Sequence, residues 1–257
     1  MNGGRSSPEA IVLGTRCFVG DLERASERII ERIELGNGGY VCQANAHVLV
    51  TACHDDDVRR ALDAAWVVNP DGWPVSWLAR RLGACGATRI AGAELMTRMF
   101  ELGTPIGLRH YLFGSTPQVI HRLQNSLSAR HRRAQIVGAY SPPFGRRLEA
   151  QALQDVETIR TAAPDIVWCA LGAPKQELWM NRYAGLLAPA VVIGVGAAFD
   201  FHAGTKPRAP EWMQRNGLEW AHRFWSEPRR LASRYARTNT EFLIRAAVAL
   251  GRPRHQP

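Results

Sequence analysis

The chain has 257 residues, of which 46% are hydrophobic, so it can bury a full core in one large domain or in one domain with an appendage. Its formal net charge of +9 favours an acidic partner, which could be nucleic acid, anionic lipid or a phosphorylated substrate. The N-terminus lacks the apolar run of a signal peptide, and the late apolar stretch 242–250 is short and contains Arg245. We therefore expect no bilayer span and a cytoplasmic protein.

The cysteines are odd in number and show no CxxC spacing, which indicates reduced core thiols. They are Cys17, Cys42, Cys53, Cys85 and Cys169.

Apolar runs alternate with amphipathic stretches along the first 206 residues. Strands are predicted at 11–13, 40–43, 65–69, 109–113, 135–139, 165–171 and 190–195. Helices are predicted at 22–35, 57–64, 92–102, 117–130 and 147–162. This order predicts a Rossmann-like α/β domain, residues 1–206, in which a mainly parallel sheet has helices on both faces.

From residue 207 to 257 only helical patterns remain, which predicts a helical appendage divided at Pro228. Arginines outnumber acidic residues there and are interleaved with large aromatic side chains, namely Trp212, Trp220, Phe224 and Trp225. Such a surface suits anionic lipid or phosphate, so we expect it to dock on an anionic membrane. The alternative is that the aromatic side chains, Trp212 and Trp220 above all, only pack against the core.

Polar residues follow two of the predicted strands. Asn69-Pro70-Asp71-Gly72 has the sequence of a tight turn, which would leave the Asp71 carboxylate at a strand end where it could accept a proton. Gln43 and Asn45 follow the preceding strand and offer amides to sugar hydroxyls or a base edge. The alternatives are that Asp71 only stabilises its turn and that the amides only cap a helix.

Two further strand ends carry groups suited to anions. Gly114 and Ser115 precede a helix that starts at Pro117, so free backbone N–H groups there could bind phosphate, although a plain helix cap is the commoner explanation. Lys175 and Gln176 begin another helix directly after a strand, and a cation with an amide is more than a cap requires.

No metal or dinucleotide site is predicted. Asp55-Asp56-Asp57 resembles a metal-binding Asp-x-Asp, but it precedes a helix and is interpreted as its cap and first turn. The Gly194-x-Gly196 pair lacks the third glycine of the dinucleotide fingerprint and lies at the last strand instead of the first.

Taken in order, these motifs resemble the WecG/TagA/CpsF glycosyltransferase family over about residues 13–242. The resemblance rests on Asn45, PDG at 70–72, RIAG at 89–92, GAPKQELWM at 172–180, GVGAAFDFHAG at 194–204, RAPEWM at 208–213, and GLEW with EPRRL within 217–231. DGWPV at 71–75 and SPPF at 141–144 are more similar to the exopolysaccharide branch of that family, which is GumM-like.

The resemblance implies an inverting, metal-independent transferase that uses a UDP-sugar and a polyprenyl-diphosphate-linked saccharide at the cytoplasmic membrane face. It implies that Asp71 is the general base, that Asn45 contacts donor or acceptor, and that Arg89 and Gln176 lie near the diphosphate and sugar. The substrate-binding set is completed by Gln43, Gly114, Ser115, Lys175, Asp200 and Arg208. Gln43 stands where family members often have threonine, which leaves its role open.

Three alternatives remain. A nucleotide-cofactor oxidoreductase agrees with the α/β pattern but lacks a complete GxGxxG near the first strand. A nucleic-acid-binding protein agrees with the charge, yet no helix-turn-helix, RNP-like or zinc pattern is present, so no nucleic-acid partner is expected. An inactive membrane scaffold is disfavoured by the intact Asp71, Arg89 and Gln176. The sugar, the acceptor glycan and any homo-oligomer are not determined by the sequence.

Overall fold

The computed structural model describes residues 8–145, 148–210, 212–213, 221–222 and 228–251. Its strands are β1 Glu9–Val12, β2 Thr15–Phe18, β3 Gly39–Ala44, β4 Val67–Pro70, β5 Arg109–Gly114, β6 Gln135–Tyr140, β7 Ile166–Ala170 and β8 Val191–Gly194. Its helices are α1 Leu22–Glu34, α2 Ala46–Ala52, α3 Asp56–Asp63, α4 Trp73–Arg81, α5 Gly92–Gly103, α6 Pro117–Arg130, α7 Glu149–Thr161, α8 Lys175–Tyr183, α9 Ala198–His202 and α10 Pro228–Gly251, with a 3-10 turn at Ala184–Leu187.

The centre of the fold is a six-stranded sheet in the order β4-β3-β8-β7-β5-β6, and every neighbouring pair is parallel. The predicted α/β fold with a mainly parallel sheet is therefore confirmed. Since all six strands run the same way, their carboxyl ends lie along one edge, where α/β proteins bind ligands.

Helices cover both faces of this sheet, as predicted. One core cluster joins the sheet to α2, α3, α4, α7, α8 and α10, and the other joins it to α1, α5, α6 and α9. Successive strand residues alternate between the two clusters: Val41 belongs to the second and Cys42 to the first. Strands that are buried on both faces explain the continuous apolar runs in the sequence.

The first predicted strand is not part of the parallel sheet. Residues 9–12 pair in antiparallel fashion with β2, and a turn at Leu13 and Gly14 joins the two strands. Strand β2 was not predicted from the sequence. Gly14 has a φ of +86°, a conformation that favours glycine, and this turn closes a short hairpin.

Helix α10 starts at Pro228, so the predicted helix boundary there is confirmed. Its Phe242 and Ala246 are 2% exposed and belong to the core cluster that contains α2. The ring Nε2 of His54, just after α2, lies 2.5 Å from a carboxylate oxygen of Glu241. The described part of the appendage is thus packed onto the α/β domain, while the boundary at residue 206 stays a prediction.

The cysteines are free thiols, but they are not all core residues. Cys17, Cys42 and Cys169 are buried, whereas Cys53 is half-buried and Cys85 is exposed. The prediction of a core position was therefore wrong for Cys85, which follows the end of α4 in a surface turn.

Candidate active site

The turn that carries Asp71 is fixed at the carboxyl edge of the sheet. The Asp71 backbone N–H donates a 3.0 Å hydrogen bond to the carbonyl of Ala44, the last residue of β3. Gly72 follows with a φ of +94° and starts α4 at Trp73. A β-branched or bulky residue would be strained at that φ, so the glycine is what allows the chain to turn directly from β4 into a helix.

Asn45 lies beside this turn and caps α2. Its side-chain oxygen accepts a 3.2 Å hydrogen bond from the Val48 N–H. The interpretation of Asn45 as a helix cap is therefore correct for its oxygen. The cap does not use the amide nitrogen, so a substrate contact from that atom is compatible with the cap.

Gln43 and Asn69 form a buried amide pair on β3 and β4. They are partners in the register of the two strands and are 3% and 0% exposed. Within the described residues, neither the oxygen nor the nitrogen of either amide has a hydrogen-bond partner. Buried amides normally have partners, so this pair marks the carboxyl edge of β3 and β4 as a polar site.

Gln176, at the start of α8, is held at both ends of its amide. Its oxygen accepts a 3.1 Å hydrogen bond from the Gly196 N–H, and its nitrogen donates a 2.8 Å hydrogen bond to Glu177. An added methyl group on Gly194 would lie 3.1 Å from that nitrogen, so the missing side chain at 194 provides the space for the amide. One N–H of Gln176 is left for a ligand.

Glu177 is fully buried beneath this amide. Burial raises its pKa to about 7, although the hydrogen bond from Gln176 acts in the opposite direction. The Glu177 charge in turn adds to the burial that raises the pKa of the Cys42 and Cys169 thiols. A carboxyl group in this position therefore keeps its proton up to about neutral pH.

Two arginines converge on one carboxylate near the Asp71 turn. Oε1 of Glu94, in the first turn of α5, accepts hydrogen bonds from Arg89 and, at 2.7 Å, from Arg208. The N–H of Ile90 donates a 2.9 Å hydrogen bond to the carbonyl of Pro70. This bond brings the backbone at Arg89 close to the Asp71 turn. The cluster offers two guanidinium groups to an anion, as a diphosphate requires.

Gly114 and Ser115 occupy the same edge but lie farther from Asp71. Gly114 has a φ of +117°, and a methyl group on it would lie 2.6 Å from the backbone of Ala170. Ser115 has a φ of +58°, and its carbonyl accepts a 2.8 Å hydrogen bond from Ser141. β4 and β5 are four strand positions apart, which corresponds to about 19 Å.

Ser115 and Asp71 therefore cannot contact the same atom of a small substrate. A ligand that uses both must extend along the edge.

Lys175 and Asp200 differ in their exposure and in their contacts. Lys175 is the exposed first residue of α8, one residue before the buried Gln176. Asp200, in α9, accepts a 3.2 Å hydrogen bond from Thr205 and lies 3.8 Å from the Lys206 ammonium group. Lys175 is thus accessible to an anion, whereas Asp200 stabilises the turn that follows its own helix.

Asp55 has the capping role predicted for it. Its side chain accepts hydrogen bonds from the backbone N–H groups of Asp57 and Val58, and Asp56 and Asp57 form the first turn of α3. Across the described ranges, no group of three His, Cys, Asp or Glu side chains could hold a metal ion.

Three site residues escaped the sequence analysis: Glu94, Glu177 and Asn69. Two of them stand inside or just after motifs of the family, since Glu177 follows Gln176 and Glu94 follows the RIAG segment. Glu177 and Asn69 are distinguished by their burial, and Glu94 by its contact with Arg208, which is 114 residues away. The sequence shows neither the burial nor the contact.

Residues 10–256 match the model of the Glycosyl transferase WecG/TagA/CpsF family. The chain belongs to this family. The resemblance inferred from the motifs is thereby confirmed, as is the prediction of a glycosyltransferase, while the exopolysaccharide branch stays a prediction.

Two relatives have the same name. The N-acetylglucosaminyldiphosphoundecaprenol N-acetyl-beta-D-mannosaminyltransferase of Bacillus subtilis (strain 168) is 31% identical over 191 residues, which cover 74% of this chain and 73% of that protein. Its counterpart from Bacillus spizizenii (strain ATCC 23059 / NRRL B-14472 / W23) is 28% identical over 198 residues, which cover 77% of this chain and 75% of that protein.

Proposed function

We propose that this glycosyltransferase moves a sugar from a UDP donor to a polyprenyl-diphosphate-linked saccharide, with inversion and without a metal ion. The observation that carries the proposal is the placement of Asp71 at the carboxyl edge of β4, beside the Arg89–Glu94–Arg208 cluster. A base and a diphosphate-binding pair are the two functions that a single displacement requires.

In the proposed step, the carboxylate of Asp71 removes the proton of an acceptor hydroxyl. The hydroxyl oxygen then forms a bond to the anomeric carbon of the donor, while the bond from that carbon to the diphosphate breaks and UDP leaves with the electron pair. Attack and departure occur on opposite faces of the sugar, which inverts the anomeric centre.

Charge that develops on the departing diphosphate needs compensation. Arg89 and Arg208 supply fixed positive groups, Lys175 supplies an exposed ammonium group, and Gln176 supplies one N–H. Glu94 keeps the two guanidinium groups together before the donor arrives, so little reorganisation is needed.

The names of the two relatives favour an N-acetylglucosamine unit on a polyprenyl diphosphate as the acceptor. For the transferred sugar they favour N-acetylmannosamine, although glucose and the uronic acid of N-acetylmannosamine suit the same reaction. The Gln43–Asn69 amides could bind neutral hydroxyl or acetamido groups of the sugars, because an amide both donates and accepts.

We further propose that the C-terminal part docks on an anionic membrane surface. The side of α10 away from the core exposes Leu243, Ile244 and Val248, each more than half exposed, and Trp212 is 59% exposed. Such side chains can enter the headgroup layer while arginines contact lipid phosphates. Trp220, Phe224 and Trp225 lie outside the described residues.

None of the helices in the described part of the chain combines the length and the apolar character needed to cross a bilayer.

The test is UDP release from a panel of UDP-sugars, with N-acetylglucosaminyl diphosphate on a short alkyl chain as the acceptor probe. Release that depends on the probe, survives excess EDTA and gives a β-linked product from an α-linked donor supports the proposal. Loss of release with EDTA and recovery with Mg²⁺ or Mn²⁺ would refute the metal-independent step. If no UDP is released from any of the UDP-sugars, the proposal that the donor is a UDP-sugar is refuted.

A further inference from the structure

The first turns of α4 carry two tryptophans, of which Trp77 is partly buried against the core and Trp73 is exposed. Trp73 is 39% exposed, and its ring stacks on that of Trp77, one turn later, with centroids 5.8 Å apart and planes inclined by 23°. The core side of α4 is supplied by Val75 and Leu78, both fully buried. Packing of the domain therefore does not require the exposed face of Trp73.

A cationic end follows the two rings. The guanidinium carbon of Arg81 lies 5.7 Å from the ring centroid of Trp77, again one turn along the helix. Arg80 lies beside it and donates a 3.1 Å hydrogen bond to the carbonyl of Ala87. Trp73, Trp77 and Arg81 form one stripe along α4, here called the α4 stripe, because residues four apart share a helix face.

The α4 stripe starts at the candidate base. Trp73 is separated from Asp71 only by Gly72, whose φ of +94° makes the turn between the strand end and the helix. Because the turn is fixed by the bond from the Asp71 N–H to Ala44, the start of the stripe is fixed relative to the catalytic edge. A molecule lying on Trp73 is thus close to the turn that carries Asp71.

We propose that the α4 stripe is the binding site for the acceptor, with the sugar ring on Trp73 and the diphosphate towards Arg81. This inference rests on the proposed function, from which it takes the identity of the acceptor. A pyranose ring presents C–H groups on its flat face, and these pack well against the electron-rich face of an indole. A diphosphate requires a cation, and a guanidinium pairs with phosphate oxygens through several N–H groups.

The length of the stripe suits that occupant. Arg81 is eight positions after Trp73 in the helix, which corresponds to about 12 Å. A hexose ring followed by a diphosphate has a comparable length. The order of groups also agrees, since the reacting hydroxyl must lie at Asp71 while the diphosphate and its lipid lie at the opposite end of the acceptor.

The assignment separates the two substrates in space. The arginines of the Glu94 cluster bind the donor diphosphate at the sheet edge, whereas Arg81 binds the acceptor diphosphate on α4. One enzyme that handles two diphosphates needs two such sites, and the stripe supplies the second.

The experiment compares Trp73→Ala, Trp73→Phe and Arg81→Gln with the wild-type protein. The control is Leu35→Ala, because Leu35 is 66% exposed and lies at the other end of the strands, just before β3. The probes are N-acetylglucosaminyl diphosphate on a short alkyl chain and the alkyl glycoside of N-acetylglucosamine, which lacks the diphosphate. Binding is measured by tryptophan fluorescence and by NMR of the probe, and turnover by UDP release.

For Trp73→Ala we expect the acceptor KM to rise about tenfold, the usual effect of truncating a central aromatic contact, while the KM of the UDP-sugar stays constant. Trp73→Phe should restore most of the loss because it keeps an aromatic face. Arg81→Gln should weaken binding of the diphosphate probe and leave binding of the alkyl glycoside unchanged. Leu35→Ala should match the wild-type protein.

An unchanged acceptor KM in Trp73→Ala would overturn the proposal, as would equal weakening of both probes by Arg81→Gln. A change of oligomeric state in Trp73→Ala without a change of acceptor KM would also overturn it, because the stripe would then be a contact between copies of the chain. If the wild-type protein releases no UDP with any donor, the proposed function fails instead, so the two failures are distinguishable.

Discussion

The amide of Gln176 donates a 2.8 Å hydrogen bond to the carboxyl group of Glu177, the next residue in the chain. The N–H of Gly196 donates to the oxygen of the same amide, so Glu177 and Gly196 together fix the orientation of the Gln176 amide. Glu177 thus positions a candidate substrate-binding group without facing the substrate itself.

Glu177→Gln should keep activity within about threefold, because an amide oxygen can still accept the hydrogen bond. Glu177→Leu removes that acceptor and should lower kcat by about ten- to a hundredfold through misplacement of Gln176. The measurement is steady-state kinetics on both variants. Equal activity of the leucine and glutamine variants would show that Glu177 has no positioning role.

The same residue should make stability depend on pH. The pKa of Glu177 is raised from 4.5 to about 7, so the folded protein keeps a proton that the unfolded chain loses over this range. The contribution of Glu177 to the unfolding free energy should therefore fall as pH rises from about 4.5 to 7, by up to about 3 kcal/mol. Thermal unfolding should show that Glu177→Gln stabilises more in mildly alkaline than in mildly acidic buffer.

Asp71→Asn should reduce turnover by about 10²- to 10⁴-fold and leave UDP binding largely intact, because the amide keeps the shape and loses the proton acceptor. The backbone bond from residue 71 to Ala44 does not depend on the side chain, so the turn should persist. UDP release and calorimetric titration of UDP measure the two quantities. Near wild-type turnover would mean that another group is the base.

Glu94→Gln should weaken the pairing that holds Arg89 and Arg208 together and lower kcat/KM for the UDP-sugar by about tenfold or more. The matched control is Glu101→Gln on the same helix, which loses an exposed pair with Arg98 and should stay near the wild-type value. Donor kinetics that are equal in the two variants would contradict a role of the arginine pair in donor binding.

His110 should make the fold sensitive to acid. It is fully buried, its Nδ1 accepts a 3.2 Å hydrogen bond from Trp168 Nε1, and its ring stacks on Phe100 at 4.0 Å. Burial lowers the pKa of His110 from 6.5 to about 3. The unfolded chain therefore binds a proton that the folded protein does not, and the contribution of His110 to the unfolding free energy should fall as pH drops below about 6.5, by about 1.4 kcal/mol per pH unit.

His110→Asn retains an acceptor for Trp168 but cannot be protonated. The unfolding free energy of His110→Asn relative to that of the wild-type protein should rise as pH drops from neutral to mildly acidic, whereas that of the exposed control His121→Asn should keep a constant difference from the wild type. Denaturant unfolding at several pH values gives the slopes. The same slope in His110→Asn as in the wild type would assign the acid sensitivity to other groups.

Substitutions on the buried side of α10 should affect stability, whereas those on its exposed side should affect membrane binding. Phe242→Ala should cost about 3–5 kcal/mol of unfolding free energy, because the ring is buried against the domain. Ile244→Ser, on the exposed side, should change stability by less than about 0.5 kcal/mol and weaken binding to anionic vesicles. Vesicle sedimentation in low and high salt tests this, and equal binding of Ile244→Ser and wild type would contradict docking through this face.

The sequence predicts the sheet well, since runs such as residues 165–171 and 190–195 become central strands that are buried on both faces. It does not identify α2 as a helix, because the sequence AHVLVTA contains β-branched residues, which are more common in strands. The cap by Asn45 and the burial of Val48 and Leu49 make this segment helical. Tertiary packing overrides propensity here.

The sequence predicts those site residues that directly follow strands. It does not predict those whose role depends on burial or on contacts between distant parts of the chain. Asp71 and Asn45 stand at strand ends, and parallel strands bring such ends to one edge. The neutral state of Glu177 depends on its enclosure by the sheet and α8, and the pairing of Glu94 with Arg208 joins positions far apart in the chain. A local pattern carries no information on either.

Helix α2 has Asn45 at its start and His54, paired with Glu241 of α10, just beyond its end. Its seven residues extend about 10 Å, so the candidate catalytic edge and the segment that contacts α10 are separated by about the length of this short helix. If α10 rests on the bilayer, a lipid-linked acceptor can reach Asp71 with its isoprenoid tail still among the lipids, and the enzyme never has to extract its substrate from the membrane.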